Sequence, residues 1–308
     1  MRSLRQAYGE VLVELGERDK DIVVLDADLS SSTHTKMFAE RFPDRFFNVG
    51  VQESNLMGIA AGLASLGKKV FVSTFAVFAS GRAWEIVRLS IAYSGFPVKI
   101  VATHGGCATG EDGYSHHGNE DIALMCAIPK MVVLSPSDYE STKAVIRAVY
   151  KYNGYVYVRL VRPKVVDIYR EPFEYEIGKA IKLKEGKDVA LLGTGILTGI
   201  LLEASNILEK EGIEVSVWDF LTIKPLDEEA LREIADSIKY GVITAEDHVL
   251  DGGFGSRVAR FFASYKPLKM DFIGINDFFT ESGSFEDLYK KYGFTAEKVV
   301  ERVKKFLK

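Results

Sequence analysis

The stretch GEDGYSHHGNED, residues 110–121, sets His116 and His117 side by side just after Glu111 and Asp112. His104 lies upstream in VATHGG, so three of the chain's five histidines fall in one short segment. Imidazoles titrate near neutrality and can carry protons to and from hydroxyl groups. Elsewhere Glu53 opens the apolar, Gly/Ala-rich run ESNLMGIAAGLASLG. Phe75 and Phe78 lie in STFAVF, Asp28 in LDADLSSS and Arg162 in VRLVRP. A lone acid, two aromatic rings, imidazoles and a guanidinium suit a flat cofactor together with a polar, phosphorylated substrate. In that set Arg162 is the natural fork for phosphate.

Such residues act together only if regular elements bring them to one place. Short Val- and Ile-rich runs alternate with helical patterns along the whole chain, which predicts parallel sheets covered by helices. Strands are expected at 21–27, 45–50, 69–74, 98–104, 131–136 and 155–160, with helices near 3–17, 53–66, 79–94 and 138–151. Glu53, Phe75, Phe78, His104, Asp28 and Arg162 all follow strand ends, where open parallel sheets collect ligands. The small residues of GIAAGLASLG cost helix propensity, and close approach of another backbone or a ligand accounts for them. After Arg162 the pattern breaks, and RPKVVDIYREPFEYEIG reads as a linker. A second series follows, with strands at 188–193, 214–220, 240–246 and 270–275 and helices near 196–211, 227–237, 255–264 and 295–307. The expected organisation is α/β in two domains, 1–165 and 183–308, joined by 166–182.

Bulk composition narrows the class. Hydrophobic residues make up 47% and charged residues 27% of 308 residues, ordinary for a soluble globular protein. The net charge is −4 with Lys and Arg scattered, so no basic footprint points to nucleic acid. The apolar runs are too short to span a bilayer, and the amphipathic start RSLRQAYGEVLVELG is not a secretory signal. Two cysteines make no disulfide framework, and a cytoplasmic location is expected.

Three motifs compete with the first reading. DVALLGTGILTG places Gly193, Gly195 and Gly199 after a strand, with Asp219 at the end of the next, as in a dinucleotide fold. Any short turn from strand to helix favours glycine, however, and Asp219 comes later than usual. His104, Cys107, His116, His117 and Cys126 could surround zinc, but no CxxC or HExxH spacing supports it. Asp251-Gly252 with Asn276 approaches a GDG…N metal motif, yet Leu250 stands where the first glycine belongs. No metal ligands are assigned.

Taken in order, NVGVQESNLMGIAAG, TFAVF, VATH, GEDGYSHHGNED and VRLVRP resemble the pyrimidine-binding domain of the transketolase family. EDHVLDGGFGS and FTESGSFEDLYKKYGFTAEKV look like that family's C-terminal domain, so the resemblance covers essentially the whole chain. The family's diphosphate-binding domain, with its GDG…N motif, has no counterpart. The resemblance therefore implies the C-terminal subunit of a split transketolase. Its partner would be an N-terminal subunit that binds the diphosphate and Mg²⁺, in an assembly of two copies of each chain.

The resemblance also implies roles. Glu53 stands where the family keeps the glutamate facing N1′ of the aminopyrimidine of thiamine diphosphate, and Phe75 and Phe78 match the aromatics around that ring. Asp28 matches an aspartate near the cofactor. His104, Asp112 and His116 match the channel for the sugar, where a proton leaves the ketose C3 hydroxyl. Arg162 matches the phosphate-binding arginine, with Arg2 and Ser32 as companions. His117 has no matching role and is expected to be solvated. FASGRAWE is one residue longer than in some relatives, and Ser54 replaces the usual histidine or glutamine after the glutamate. The implied reaction moves a two-carbon ketol unit from a ketose phosphate to an aldose phosphate. Half of a 1-deoxyxylulose-5-phosphate synthase-like enzyme, or a beta subunit of a 2-oxoacid dehydrogenase, are the alternatives.

Overall fold

The computed structural model describes residues 1–308. Its first sheet contains strands β1 (Ile22–Asp26), β2 (Phe46–Asn48), β3 (Lys69–Ser73), β4 (Lys99–Ala102), β5 (Val132–Leu134) and β6 (Val156–Arg159). Its second contains β7 (Ile181–Lys184), β8 (Val189–Gly193), β9 (Val215–Asp219), β11 (Gly241–Val249) and β12 (Met270–Ile275). A further strand, β10 (Thr222–Lys224), lies in the second half of the sequence yet pairs antiparallel with β5 at the edge of the first sheet, and Arg2–Ser3 pairs antiparallel with Lys164–Val165 in a separate short ribbon. The first sheet runs β10-β5-β6-β4-β3-β1-β2 and the second β12-β11-β8-β9-β7, all parallel except β10 and β7. The two-domain α/β architecture read from the sequence is the one observed.

The helices that cover the sheets follow sequence signals. Helix α1 (Leu4–Arg18) starts at Ser3, whose hydroxyl accepts from Gln6 N–H. Helix α2 (Glu53–Ser65) carries Glu53 in its first turn. Between α3 (Asp121–Ala127) and β6 runs α4 (Tyr139–Lys151), opened by a capping box in which Asp138 accepts from Ser141 N–H. Helices α5 (Leu197–Lys210), α6 (Glu228–Ser237), α7 (Phe254–Tyr265) and α9 (Ala296–Leu307) belong to the second domain, as does α8 (Phe285–Tyr292), which packs on the segment Cys107–Asp112 of the first. No helix is long and apolar enough to cross a membrane.

Alternation along the buried strands divides the interior by face rather than by domain. Ile22 and Val24 join Val189 and Leu191 in one hydrophobic cluster, whereas Val23 and Leu25 join Ala190 and Leu192 in the other. Each cluster runs through both domains, because strands buried on both faces present apolar side chains to each.

The glycine-rich turn after β8 is part of this packing and not a dinucleotide site. Gly195 N–H donates to Ser135 O at 3.1 Å, and a Cβ at Gly195 would stand 2.6 Å from Ser135 Oγ. Asp219 is fully buried and accepts from Ser137 Oγ (2.5 Å), Tyr169 OH (2.9 Å) and Thr198 Oγ1 (3.0 Å). Its oxygens are taken by neighbours from both domains, and nothing is left to hold a ribose. No group of three or more His, Cys, Asp or Glu side chains is arranged to hold a metal ion.

Candidate active site

Five neighbouring strands of the first sheet, in the order β6, β4, β3, β1 and β2, lead at their carboxyl ends to Arg162, His104, Phe75, Asp28 and Glu53. Sequence order scatters these residues over much of the domain. Sheet order lines them up along one rim.

The centre of the rim is aromatic. Phe75 stacks on His104 with ring centroids 3.8 Å apart and faces Phe78 at 6.0 Å, while His116 meets the Phe78 ring edge-on at 5.4 Å. Phe75 is nearly buried and Phe78 and His116 half-buried. Phe78 sits at the start of Phe78–Arg82, which is π-helical, as is Val87–Tyr93 further along. Ala83 N–H donates to Phe78 O, five residues back. Such turns take up an extra residue and recur near functional sites. This wider register stands in place of the continuous α-helix expected over 79–94.

Glu53 is linked to this centre through Arg82. Its side chain is only 2% exposed, and its Oε2 has no hydrogen-bond partner. The nearest cation is Arg82, whose Nη1 lies 3.8 Å from Oε2 and whose guanidinium lies over the Phe78 ring at 5.7 Å. A buried carboxylate oxygen without a donor is unusual, because leaving such a group unpaired costs about 1–3 kcal/mol. It is an acceptor waiting for a donor.

His104 is 3% exposed and adopts a left-handed backbone (φ 61°) that aims its ring at Phe75. Burial, followed by the positive charges of Arg5 and Arg162 and by His116, pushes its pKa down to about 3. The ring is therefore neutral at physiological pH, with Nδ1 2.8 Å from Thr103 Oγ1. Next to it, Thr109 Oγ1 donates to His104 O at 2.8 Å, and Arg162 Nη1 donates to Thr109 O at 2.7 Å. The Arg162 guanidinium also lies 3.6 Å from the Asp112 carboxylate. The far end of the rim is thus an Arg–Asp pair hinged on the His104 loop.

One expected companion of Arg162 is placed differently. Arg2 donates to Asp167 at 2.7 Å and Glu140 at 2.8 Å, rather than to Ser32 or Arg162. Arg5 takes that position instead. Its Nη1 donates to Ser32 O (2.7 Å) and its Nη2 to Arg162 O (2.9 Å). Asp28 is exposed in a left-handed turn (φ 65°), and its carboxylate accepts from Asn48 Nδ2 at 2.7 Å. Asp26, two residues earlier, is the fully buried acid that orders the Ser32 segment by accepting from Leu29 N–H, Thr33 Oγ1 and Thr35 Oγ1. Sequence reasoning missed Arg5 and Asp26. The signal for Arg5 is Gly9 in the same helix, where a Cβ would stand 2.8 Å from His34 O and push that segment away.

His117 is not solvated but fully buried. Its Nε2 lies 2.9 Å from Gly110 O, which can only accept, so Nε2 carries the proton and Nδ1 accepts from Thr280 Oγ1 at 2.8 Å. Asn119 Nδ2 then donates to Thr280 Oγ1 at 2.9 Å. Of the paired histidines, His116 faces the aromatic centre and His117 ties the loop to the second domain.

A parallel α/β domain with a buried acid and aromatic rings along its strand ends, followed by a smaller α/β domain, is the architecture of the transketolase pyrimidine-binding and C-terminal domains. The chain belongs to the transketolase family. Residues 1–166 match the model of the transketolase pyrimidine-binding domain and residues 178–299 that of the transketolase C-terminal domain. A protein of Methanocaldococcus jannaschii, provisionally named as a transketolase C-terminal section, is 48% identical over 100% of this chain and 97% of its own length. A solved split-gene transketolase, described as an inactive β4 tetramer, superposes with a TM-score of 0.93 at 47% identity, covering 100% of this chain and 99% of that one. Human transketolase is 32% identical over 97% of this chain but only 48% of its own length, so the chain spans about half of that enzyme.

Proposed function

We propose that the chain is the C-terminal subunit of a split transketolase, moving a two-carbon ketol unit from a ketose phosphate to an aldose phosphate. The observation that carries this is the buried, donorless Glu53 Oε2, linked through Arg82 to Phe78 of the Phe75–Phe78–His104–His116 cluster. These residues fit an aminopyrimidine: an acceptor of N–H, with flat apolar faces close by. Glu53 would hold the ring nitrogen, Phe75 and Phe78 would pack around the ring, and Asp28 would lie on its approach. Thiamine diphosphate, when bound, supplies the nucleophilic carbon and the electron sink. Its diphosphate and Mg²⁺ would be held by an N-terminal partner subunit, in a complex of two chains of each kind.

The remaining residues divide the work on the sugar. Arg162 would take the substrate phosphate, with Arg5 and Ser32 behind it, and Asp112 would accept a hydrogen bond from a sugar hydroxyl. His104, held neutral, orients the C3 hydroxyl by hydrogen bonding. His116, half-buried opposite it, takes the hydroxyl proton.

Turnover of xylulose 5-phosphate with ribose 5-phosphate tests the proposal, using the chain alone and then with its candidate partner, thiamine diphosphate and Mg²⁺. Silence alone and formation of sedoheptulose 7-phosphate with the partner is the expected result. The inactive state described for the β4 relative supports it. A complex that ignores sugars but consumes pyruvate would instead be the synthase-like or dehydrogenase-like enzyme.

A further inference from the structure

Asp247 belongs to strand β11 of the second domain, yet its buried carboxylate reaches into the first. Cys107 N–H donates to Oδ1 at 3.0 Å, Ala108 N–H to Oδ2 at 3.1 Å, and Tyr289 OH to Oδ2 at 2.9 Å. The main chain of Asp247 is held as well. Arg159 Nη2 donates to Asp247 O at 2.6 Å and to Gly118 O at 3.0 Å, while its Nε binds the Asp121 carboxylate at 3.0 Å. These bonds grip both ends of the loop that starts at His104. Thr109, one residue past Ala108, is the group that joins His104 to Arg162.

The two glycines after His104 follow from the same contact. Gly106 has φ 78°, and a Cβ there would stand 2.2 Å from Asp247 Oδ2. At Gly105 a Cβ would stand 2.5 Å from Arg159 Nε. Only a loop without side chains at these positions can settle onto the carboxylate.

We infer that Asp247 is a positioning residue for the sugar-phosphate half of the site: the second domain sets the relation of His104, Asp112 and Arg162 through the backbone of Cys107 and Ala108. This rests on the functional reading above and extends it by giving the second domain a part in substrate recognition. None of the Asp247 hydrogen bonds goes to Glu53, Phe75 or Phe78, and its loop meets the pyrimidine half at the histidine rings, His104 stacking on Phe75 and His116 edge-on to Phe78.

The test pairs hydrogen exchange on the chain alone with kinetics of the reconstituted complex. In Asp247→Ala the amides of 105–113 should exchange about tenfold faster while those of α1 and β1 keep their protection. The KM for ketose phosphate should rise about tenfold, with thiamine diphosphate affinity within about twofold of wild type. Asp247→Asn, which keeps one acceptor oxygen, should fall between, and Tyr289→Phe should fall close to wild type. Unchanged protection of 105–113 in Asp247→Ala overturns the inference, and so does loss of protection spread evenly over the chain. An equal loss of cofactor affinity also overturns it. If even the wild-type complex transfers no ketol unit, the functional reading fails, while the exchange result still decides the positioning.

Discussion

At the scale of single residues, the site divides into groups that lack a partner and groups already satisfied. Glu53 is the first kind, and Glu53→Gln should lower kcat of the complex by at least about 100-fold while melting stays within a degree or two of wild type. Unchanged turnover in that variant would remove Glu53 from the chemistry. Arg162→Ala should cost about 1.5–3 kcal/mol in kcat/KM for phosphorylated ketoses, the range of a charged hydrogen bond, and far less for an unphosphorylated ketose. Equal losses on both substrates would count against a phosphate role. Because burial holds His104 neutral to about pH 3, His104→Asn should lower kcat yet leave the acid limb of the pH–rate profile in place. A limb that disappears would make His104 the titrating base. Residue types alone pointed to most of this rim, since acids, imidazoles and guanidiniums are conspicuous in an apolar setting. Arg5 and Asp26 were hidden because their importance lies in which main-chain groups they meet, and composition does not encode that. The split between His116 and His117 was hidden for the same reason.

At the scale of elements, the strands and long helices lie within a few residues of where hydrophobic period and capping put them. The failures have local causes. Helix α3 is only 7 residues long and α8 only 8, too short for a clear period, and Phe285–Tyr292 is announced mainly by its Ser284 cap. The segment 78–93 keeps a helical pattern of apolar residues while its hydrogen bonds shift to a wider register, which no propensity predicts. Strand β10 is 3 residues long and takes its identity wholly from a tertiary partner. The loop 110–119 is likewise set by distant chain, through Thr280. Thr280→Val should therefore destabilise the protein by about 1–3 kcal/mol in denaturant unfolding, by leaving His117 Nδ1 and Asn119 Nδ2 unpaired in the interior. An effect below about 0.5 kcal/mol would mean that solvent reaches the latch.

For the molecule as a whole, the decisive fact is that each hydrophobic cluster passes through both domains. Calorimetry should accordingly show one transition with matching calorimetric and van't Hoff enthalpies, and two resolved transitions would contradict the shared interior. The domain seam also carries a pH dependence. Burial pushes the Asp219 carboxyl up to about 7, against the lowering pull of Ser137, Tyr169 and Thr198. A folded pKa above the unfolded one gives stability that is complete below about pH 4 and is lost as pH rises through about 7. The wild type should therefore lead Asp219→Asn by most at about pH 4, with the gap in Tm narrowing as pH rises to about 7. A gap that widens would reverse the sign of the linkage. The strand β10, finally, constrains how such a gene can be divided in evolution. A break between the two domains would strand the first sheet's outermost ribbon on the wrong polypeptide and bare both interiors to water. At the seam between these two domains the halves would have to be inherited as one.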